Sequence, residues 1–118
     1  MPTAAAAAGL AFAACLLYDA RYVQPYRLGL TRLDLELPAG HEGLAGLTIG
    51  FVSDTHVCGA FTAADVARAV DLVLEARPDL VLLGGDYVSG SPRFIPDAAK
   101  ALGSLVAAPL GAVAVLGN

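Results

Sequence analysis

Residues 78–88 read P-D-L-V-L-L-G-G-D-Y-V. Four apolar residues stand between a proline that cannot continue a helix and two glycines that close the run, the pattern of a short strand buried on both faces. Upstream, Thr62 begins T-x-x-D, a capping-box-like start with Asp65 in place of the usual glutamate. Val66, Ala69, Val70, Val73 and Leu74 follow at helical spacing, so an amphipathic helix is predicted, stopped by Pro78. Before that helix, residues 47–52 (L-T-I-G-F-V) form another apolar run, closed by Ser53 and Asp54. Downstream, Pro96 and Asp97 open a second helix predicted to reach about Val106, and Pro109 and Gly111 turn the chain into a third strand over 112–116. Strand, helix, strand, helix, strand is the order of an α/β domain. It predicts a βαβαβ core whose parallel sheet is covered by helices.

Composition bounds the rest. The chain has 118 residues, enough for one small domain. With 57% hydrophobic and 15% charged residues it is too apolar and too weakly charged for a disordered chain. Its formal charge of -4 supplies no basic field, so no nucleic-acid partner is expected. Cys15 and Cys58 are too few for a disulfide framework or a zinc ribbon.

The stretch 4–17 contains no charged or strongly polar residue. A helix of 14 residues spans only about 21 Å, short of the ~30 Å hydrocarbon core, and Pro2, Thr3 and Tyr18 bring it to the lower limit. A signal anchor, a cleaved secretory signal and an Ala-rich core helix all remain open. No basic residue precedes the run, which favours an anchor, and Arg21, Arg27 and Arg32 after it favour a cytoplasmic domain. Residues 1–20 are therefore read as an apolar membrane anchor or signal segment, with membrane contact through 4–18. Residues 21–46 are read as a connector, in which R-L-D-L-E-L (32–37) alternates as an edge strand would and His41 lies in a turn-rich loop. The domain proper is 47–118.

A parallel sheet gathers its strand ends on one edge. After the first core strand come Asp54 and His56, after the second Asp86, and after the third Asn118. All are oxygen or imidazole ligands for a divalent ion. Asp54 and His56, two apart, would share a face in extended backbone. Asp86 follows Gly84 and Gly85, which permit close backbone approach, and a carboxylate can bridge two cations about 3.5–4 Å apart. An aspartate after a strand is also a common turn former, and a terminal asparagine is commonly frayed, so the set carries the argument rather than any member.

S-D-T-H (53–56), G-G-D-Y (84–87) and L-G-N (116–118) resemble the first three blocks of the calcineurin-like metallophosphoesterases. The likeness is closer to their membrane-associated bacterial subgroup, on the tract 22–28, on 78–88 and on 108–118. The resemblance implies the N-terminal part of a β-sandwich flanked by helices. It also implies two divalent ions, manganese, iron or zinc: Asp54, His56 and Asp86 would hold one, and Asp86 would bridge to a second also bound by Asn118. The implied activity is hydrolysis of a phosphomonoester or phosphodiester by a water activated between the ions. In the family a histidine and an aspartate follow the G-N block, and that histidine serves near the leaving group. Neither these nor the later G-H-x-H ligands occur here, so no catalytic acid is expected within the chain and an incomplete N-terminal part of a longer enzyme is expected. Cys58 stands where relatives often have glycine, and Gly84 where they commonly have Thr or Ser, a change expected to have no chemical consequence.

Two readings follow from this. One is a membrane-associated phosphoesterase whose substrate is a phosphate ester, with a lipid-linked phosphate favoured by the anchor. The alternative is a membrane-tethered, non-catalytic remnant that binds at most one metal weakly.

Overall fold

The computed structural model describes residues 3–118. Three strands, β1 (Ile49–Val52), β2 (Leu80–Leu83) and β3 (Ala112–Ala114), form one parallel sheet in the order β1-β2-β3. Ile49 pairs with Leu80 and Val81 with Ala112, so the chain order of the strands is their spatial order. The architecture is the α/β one that the strand and helix alternation predicts.

An apolar helix, α1 (Ala4–Tyr18), precedes the sheet, and α2 (Ala63–Glu75) and α3 (Ile95–Leu102) connect its strands. Val66, Val70 and Val73 of α2 recur every three or four residues and are buried, as are Ala98 and Leu102 of α3 and Leu105 just beyond it. Together with Val81 at the centre of β2 they make the core, all on one face of the sheet. The other face is bare among the described residues: Ile49, Phe51 and Val113 are exposed.

The capping start of α2 forms as its sequence predicts. The Asp65 carboxylate accepts from the Thr62 N–H at 2.9 Å and from the Thr62 hydroxyl at 2.8 Å. At the other end Arg77 takes a left-handed φ of 52°, the position after a helix that glycine usually fills, and Pro78 prevents continuation. α3 is shorter than predicted. Gly103, a poor helix former, begins a 3-10 turn over Gly103–Ala107 that carries the chain to Pro109.

One expectation for residues 21–46 is corrected. Residues 32–37 are not an edge strand: their backbone bonds to no strand, and Leu33 and Leu35 are 80% and 84% exposed. Alternation supplies strand propensity, but a strand needs a partner for its N–H and C=O groups, and none lies beside this tract. The tract 19–26 lacks an apolar period yet stays helical, through a π turn (Asp19–Val23) and a 3-10 turn (Gln24–Tyr26). The wider turn lets the Gln24 N–H reach the Asp19 carbonyl, and the Gln24 side chain donates to the Asp19 carboxylate at 2.6 Å. The helical stretch Ala4–Tyr26 is thus 23 residues, about 35 Å, rather than the 14 counted from the uncharged run. It is long and apolar enough to cross a membrane, and none of its residues is buried.

Candidate metal centre

Parallel pairing delivers the loops after β1, β2 and β3 to one rim, and the ladder continues into them. The Gly84 N–H donates to the Val52 carbonyl at 2.8 Å, Asp54 N–H to Gly85 at 3.0 Å, His56 N–H to Asp86 at 3.1 Å, and Val57 N–H to Tyr87 at 2.9 Å. Sheet register is thereby passed on to the side chains of both loops. Val57 and Thr55 are buried and fix the β1 loop from beneath, and the Thr55 hydroxyl donates to the Tyr87 carbonyl at 3.0 Å. Asp54 and His56, between and beside them, face solvent.

They share a face, but not through extended backbone. Asp54, His56 and Asp86 have φ of 54°, 41° and 54°, three of the four non-glycine residues with positive φ among the described residues. That region costs an L-residue roughly 1–2 kcal/mol. Strain concentrated on the chemistry-bearing residues points to a constrained function.

One ligand atom each from Asp54, His56 and Asp86 lie within 4.8 Å of one another. His56 Nε2 stands 3.7 Å from Asp54 Oδ1, too far for a hydrogen bond, and the two side chains are 51% and 63% exposed. The other Asp54 oxygen accepts from the Ser53 hydroxyl, which leaves Oδ1 turned toward the imidazole. Ligands about 2.1 Å from a shared ion can be at most about 4.2 Å apart, so atoms at the 4.8 Å limit need move together by only about half an ångström.

Asn118 joins this group. Its backbone N–H donates to Asp86 Oδ1 at 2.9 Å, and the end of its amide lies 3.0 and 2.8 Å from the two Asp86 oxygens. Without an ion the amide nitrogen faces the carboxylate and donates both bonds; the carbonyl oxygen can face it only with a cation between them. Two carboxylates, an imidazole and a rotatable amide are a donor set that fits divalent first-row ions. All four residues named from the sequence therefore meet on one rim. His41 lies outside the group, in an exposed loop.

Sequence reasoning missed the residues that hold this arrangement. The Tyr87 hydroxyl lies against the carbonyls of Leu83, at 3.2 Å, and Val115, tying the ends of β2 and β3. A Cβ on Gly85, at φ 101°, would stand 2.6 Å from the Gly117 Cα, so the G-D and G-N turns cross where neither tolerates a side chain. Gly84 matters sterically where no chemical consequence was expected: a Cβ there would meet Phe51 Cζ and Ser53 Cβ at 2.8 Å. Cys58 serves a turn. Its N–H donates to the Phe61 carbonyl at 2.8 Å and its sulfur accepts the Phe61 N–H at 3.4 Å. The Phe61 and Ala60 N–H groups, aimed at the sulfur, hold the thiol below its ordinary pKa.

The sequence model of the calcineurin-like phosphoesterases matches residues 47–118. The chain belongs to the calcineurin-like phosphoesterase family. Its similar proteins include the UDP-2,3-diacylglucosamine pyrophosphatase LpxG of Chlamydia trachomatis, 31% identical over 99 residues covering 84% of this chain and 30% of that protein. LpxG of Chlamydia muridarum is 32% identical over the same shares. The uncharacterized metallophosphoesterase YkuE of Bacillus subtilis is 28% identical over 84% of this chain and 35% of its own. The chain thus spans about a third of the length of these calcineurin-like relatives. No solved structure matches it. Calcineurin-like phosphoesterases use divalent metals, and the Asp54, His56 and Asp86 group is a candidate site for one.

Proposed function

We propose that this chain carries part of a binuclear phosphoesterase site: Asp54, His56 and Asp86 hold one divalent ion, and Asp86 bridges to a second that Asn118 also binds. The reaction is hydrolysis of a phosphomonoester, a phosphodiester or the related pyrophosphate bond. Convergence of the four side chains on one exposed rim is the observation that supports this reading. When bound, manganese, iron or zinc ions neutralise phosphoryl charge and activate a water for in-line attack. The chain's own residues prepare that chemistry. Ser53 holds one oxygen of Asp54, the Asn118 N–H orients Asp86, and the crossed Gly85 and Gly117 backbones set the spacing of the two turns. Solvent exposure of Asp54 and His56 gives a phosphate access from outside.

The Ala4–Tyr26 helix supports a membrane tether, and Arg21, Arg27 and Arg32 support a cytoplasmic domain. LpxG is named for a diacylated nucleotide sugar, and with a tether this supports a lipid-linked phosphate as the substrate class. The non-catalytic reading draws on the same exposure, since two exposed ligands and one half-buried one hold an ion weakly. Manganese- or iron-stimulated hydrolysis of p-nitrophenyl phosphate esters by the full-length gene product tests the proposal. Asp86→Ala is expected to lower that rate by about 10³-fold, more than the 10–100-fold typical of a residue that merely supports a ligand. An unchanged rate overturns it. Two tightly bound ions per chain, counted by calorimetric titration, would eliminate the non-catalytic alternative.

A further inference from the structure

Tyr26 ends the apolar helical stretch, and its hydroxyl donates to the Ala60 carbonyl at 2.8 Å. Its ring stacks on Phe61, with centroids 6.0 Å apart and planes 29° apart. Phe61 in turn packs against the core cluster. Among the described residues this is the one hydrogen bond that joins residues 3–46 to residues 48–118. It lands on a specific place. Ala60 and Phe61 close the turn begun at Cys58, and Ala60 follows His56 by four residues, no more than about 14 Å along the chain.

The helix end has the chemistry of a bilayer surface. Tyr18, Tyr22 and Tyr26 recur every four residues, with the first two rings 5.2 Å apart, and the Arg21 guanidinium lies 5.2 Å from the Tyr22 ring. Tyrosine prefers the membrane–water boundary, and arginine there reaches for headgroup phosphates. The polar layer on each side of the hydrocarbon is about 5–8 Å deep. A loop bonded to the last helical residue therefore lies at or just outside the depth of lipid phosphates.

We propose that Tyr26 is a positioning residue that clamps the metal-bearing loop to the membrane-proximal end of the helix and so holds the rim at headgroup depth, favouring phosphate esters carried by lipids over soluble ones. The proposal rests on the membrane-tethered phosphoesterase reading above. Its effect is on encounter with substrate rather than on the chemistry of the rim.

The full-length gene product, reconstituted in phosphatidylcholine vesicles with manganese, is tested on vesicle-borne CDP-diacylglycerol and on soluble p-nitrophenyl phosphate. Tyr26→Ala is expected to lower turnover of the vesicle-borne ester about tenfold while soluble turnover stays within about twofold. Tyr26→Phe keeps the stacking and loses the hydrogen bond, and falls between. Equal loss on both substrates, or loss on neither, overturns the clamp. A second readout needs no activity. Ala60→Trp places an indole at the clamped turn, and the quenching it adds over the unsubstituted protein by lipids brominated next to the headgroup reads the depth of that turn. Adding Tyr26→Ala is expected to cut that quenching by about half. Identical quenching with and without Tyr26 overturns the clamp even if hydrolysis persists. A difference in quenching with neither ester hydrolysed upholds the clamp and removes the phosphoesterase reading instead.

Discussion

At the amino-terminal end of the sheet, Asp79 accepts the Thr48 N–H on its carboxylate at 2.8 Å. It returns its own N–H to the Thr48 carbonyl at 2.8 Å, and its carbonyl accepts the Leu110 N–H at 2.7 Å. At the carboxyl-terminal end, Asp54 and Asp86 adopt left-handed backbone and turn carboxylate oxygens toward His56 and Asn118. The residue type is the same and its use is opposite. One aspartate is spent on closing the sheet, in relaxed backbone with its polar groups paired. The others are held open at a conformational cost, which only a function outside the sheet's own stability would maintain.

Substituting each kind of aspartate is the largest expected contrast. Asp86→Ala is expected to remove metal-stimulated hydrolysis about 10³-fold, and Asp79→Ala to leave it within about twofold in folded protein. Asp79→Ala should instead lower the unfolding free energy by about 1–2 kcal/mol in urea, since the Thr48 N–H loses a charged acceptor. If Asp79→Ala lost activity without losing stability, the division of labour between the two ends would be wrong.

The next contrast lies between the crossed turns and the strand beneath them. Gly84→Ala is expected to cost about 2 kcal/mol, because its Cβ meets Phe51 Cζ and Ser53 Cβ at 2.8 Å. Phe51 is 66% exposed and can swing away, whereas the Ser53 Cβ is fixed to the loop. A double-mutant cycle with Phe51→Val should therefore recover less than half of the loss. Full recovery would show that the turn is not rigid at Ser53.

These contrasts also show what sequence can carry. The strands and helices are legible because the strands are short continuous apolar runs and the helices repeat their apolar residues about every four, with breakers at each end, as in Val66, Val70 and Val73 before Pro78. Asp54, His56, Asp86 and Asn118 are legible because parallel topology forces strand ends together, so position after a strand is enough to group them. Their left-handed backbone is not legible, because a spacing of two looks the same in extended and in strained chain. The failed strand at 32–37 has the same origin: alternation describes one chain, and pairing needs a neighbour that local pattern does not name. The Tyr26 contact with Ala60, 34 residues away, has no local pattern at all.

If the open end is maintained against a backbone cost, relieving that cost should stabilise the fold while removing the function. His56→Gly tests this, because the exposed imidazole makes little packing and glycine accepts φ near 41° freely. Left-handed strain of about 1–2 kcal/mol, less about 0.5–1 for the added freedom of glycine in the unfolded chain, leaves a net gain of about 0.5–1 kcal/mol. The gain should appear in urea unfolding with chelator present, alongside loss of metal-stimulated hydrolysis. A less stable His56→Gly protein would mean that the left-handed turn is comfortable, and the contrast between the two ends would lose its energetic basis.

The smallest effect belongs to an aspartate spent on structure, just beyond the open loop. The Thr62 N–H, and then its hydroxyl, hold the Asp65 carboxyl below its ordinary pKa of 3.8. A carboxyl with its folded pKa depressed stabilises the fold fully above its unfolded value, and that contribution is lost as pH falls through the folded one. Asp65→Asn keeps an oxygen for the Thr62 N–H and removes the charge from the α2 N-terminus, so the cost at pH 7 should be about 0.3–1 kcal/mol. The difference from wild type should begin to shrink as pH drops through the ordinary carboxyl value of 3.8, and be gone only below the depressed folded one, where Asp65 itself is neutral. Urea unfolding of both proteins at pH 7 and near pH 3 reads this directly. A difference that stayed constant across that range would mean that the Asp65 charge contributes nothing, and the capping would rest on the neutral hydrogen bonds alone.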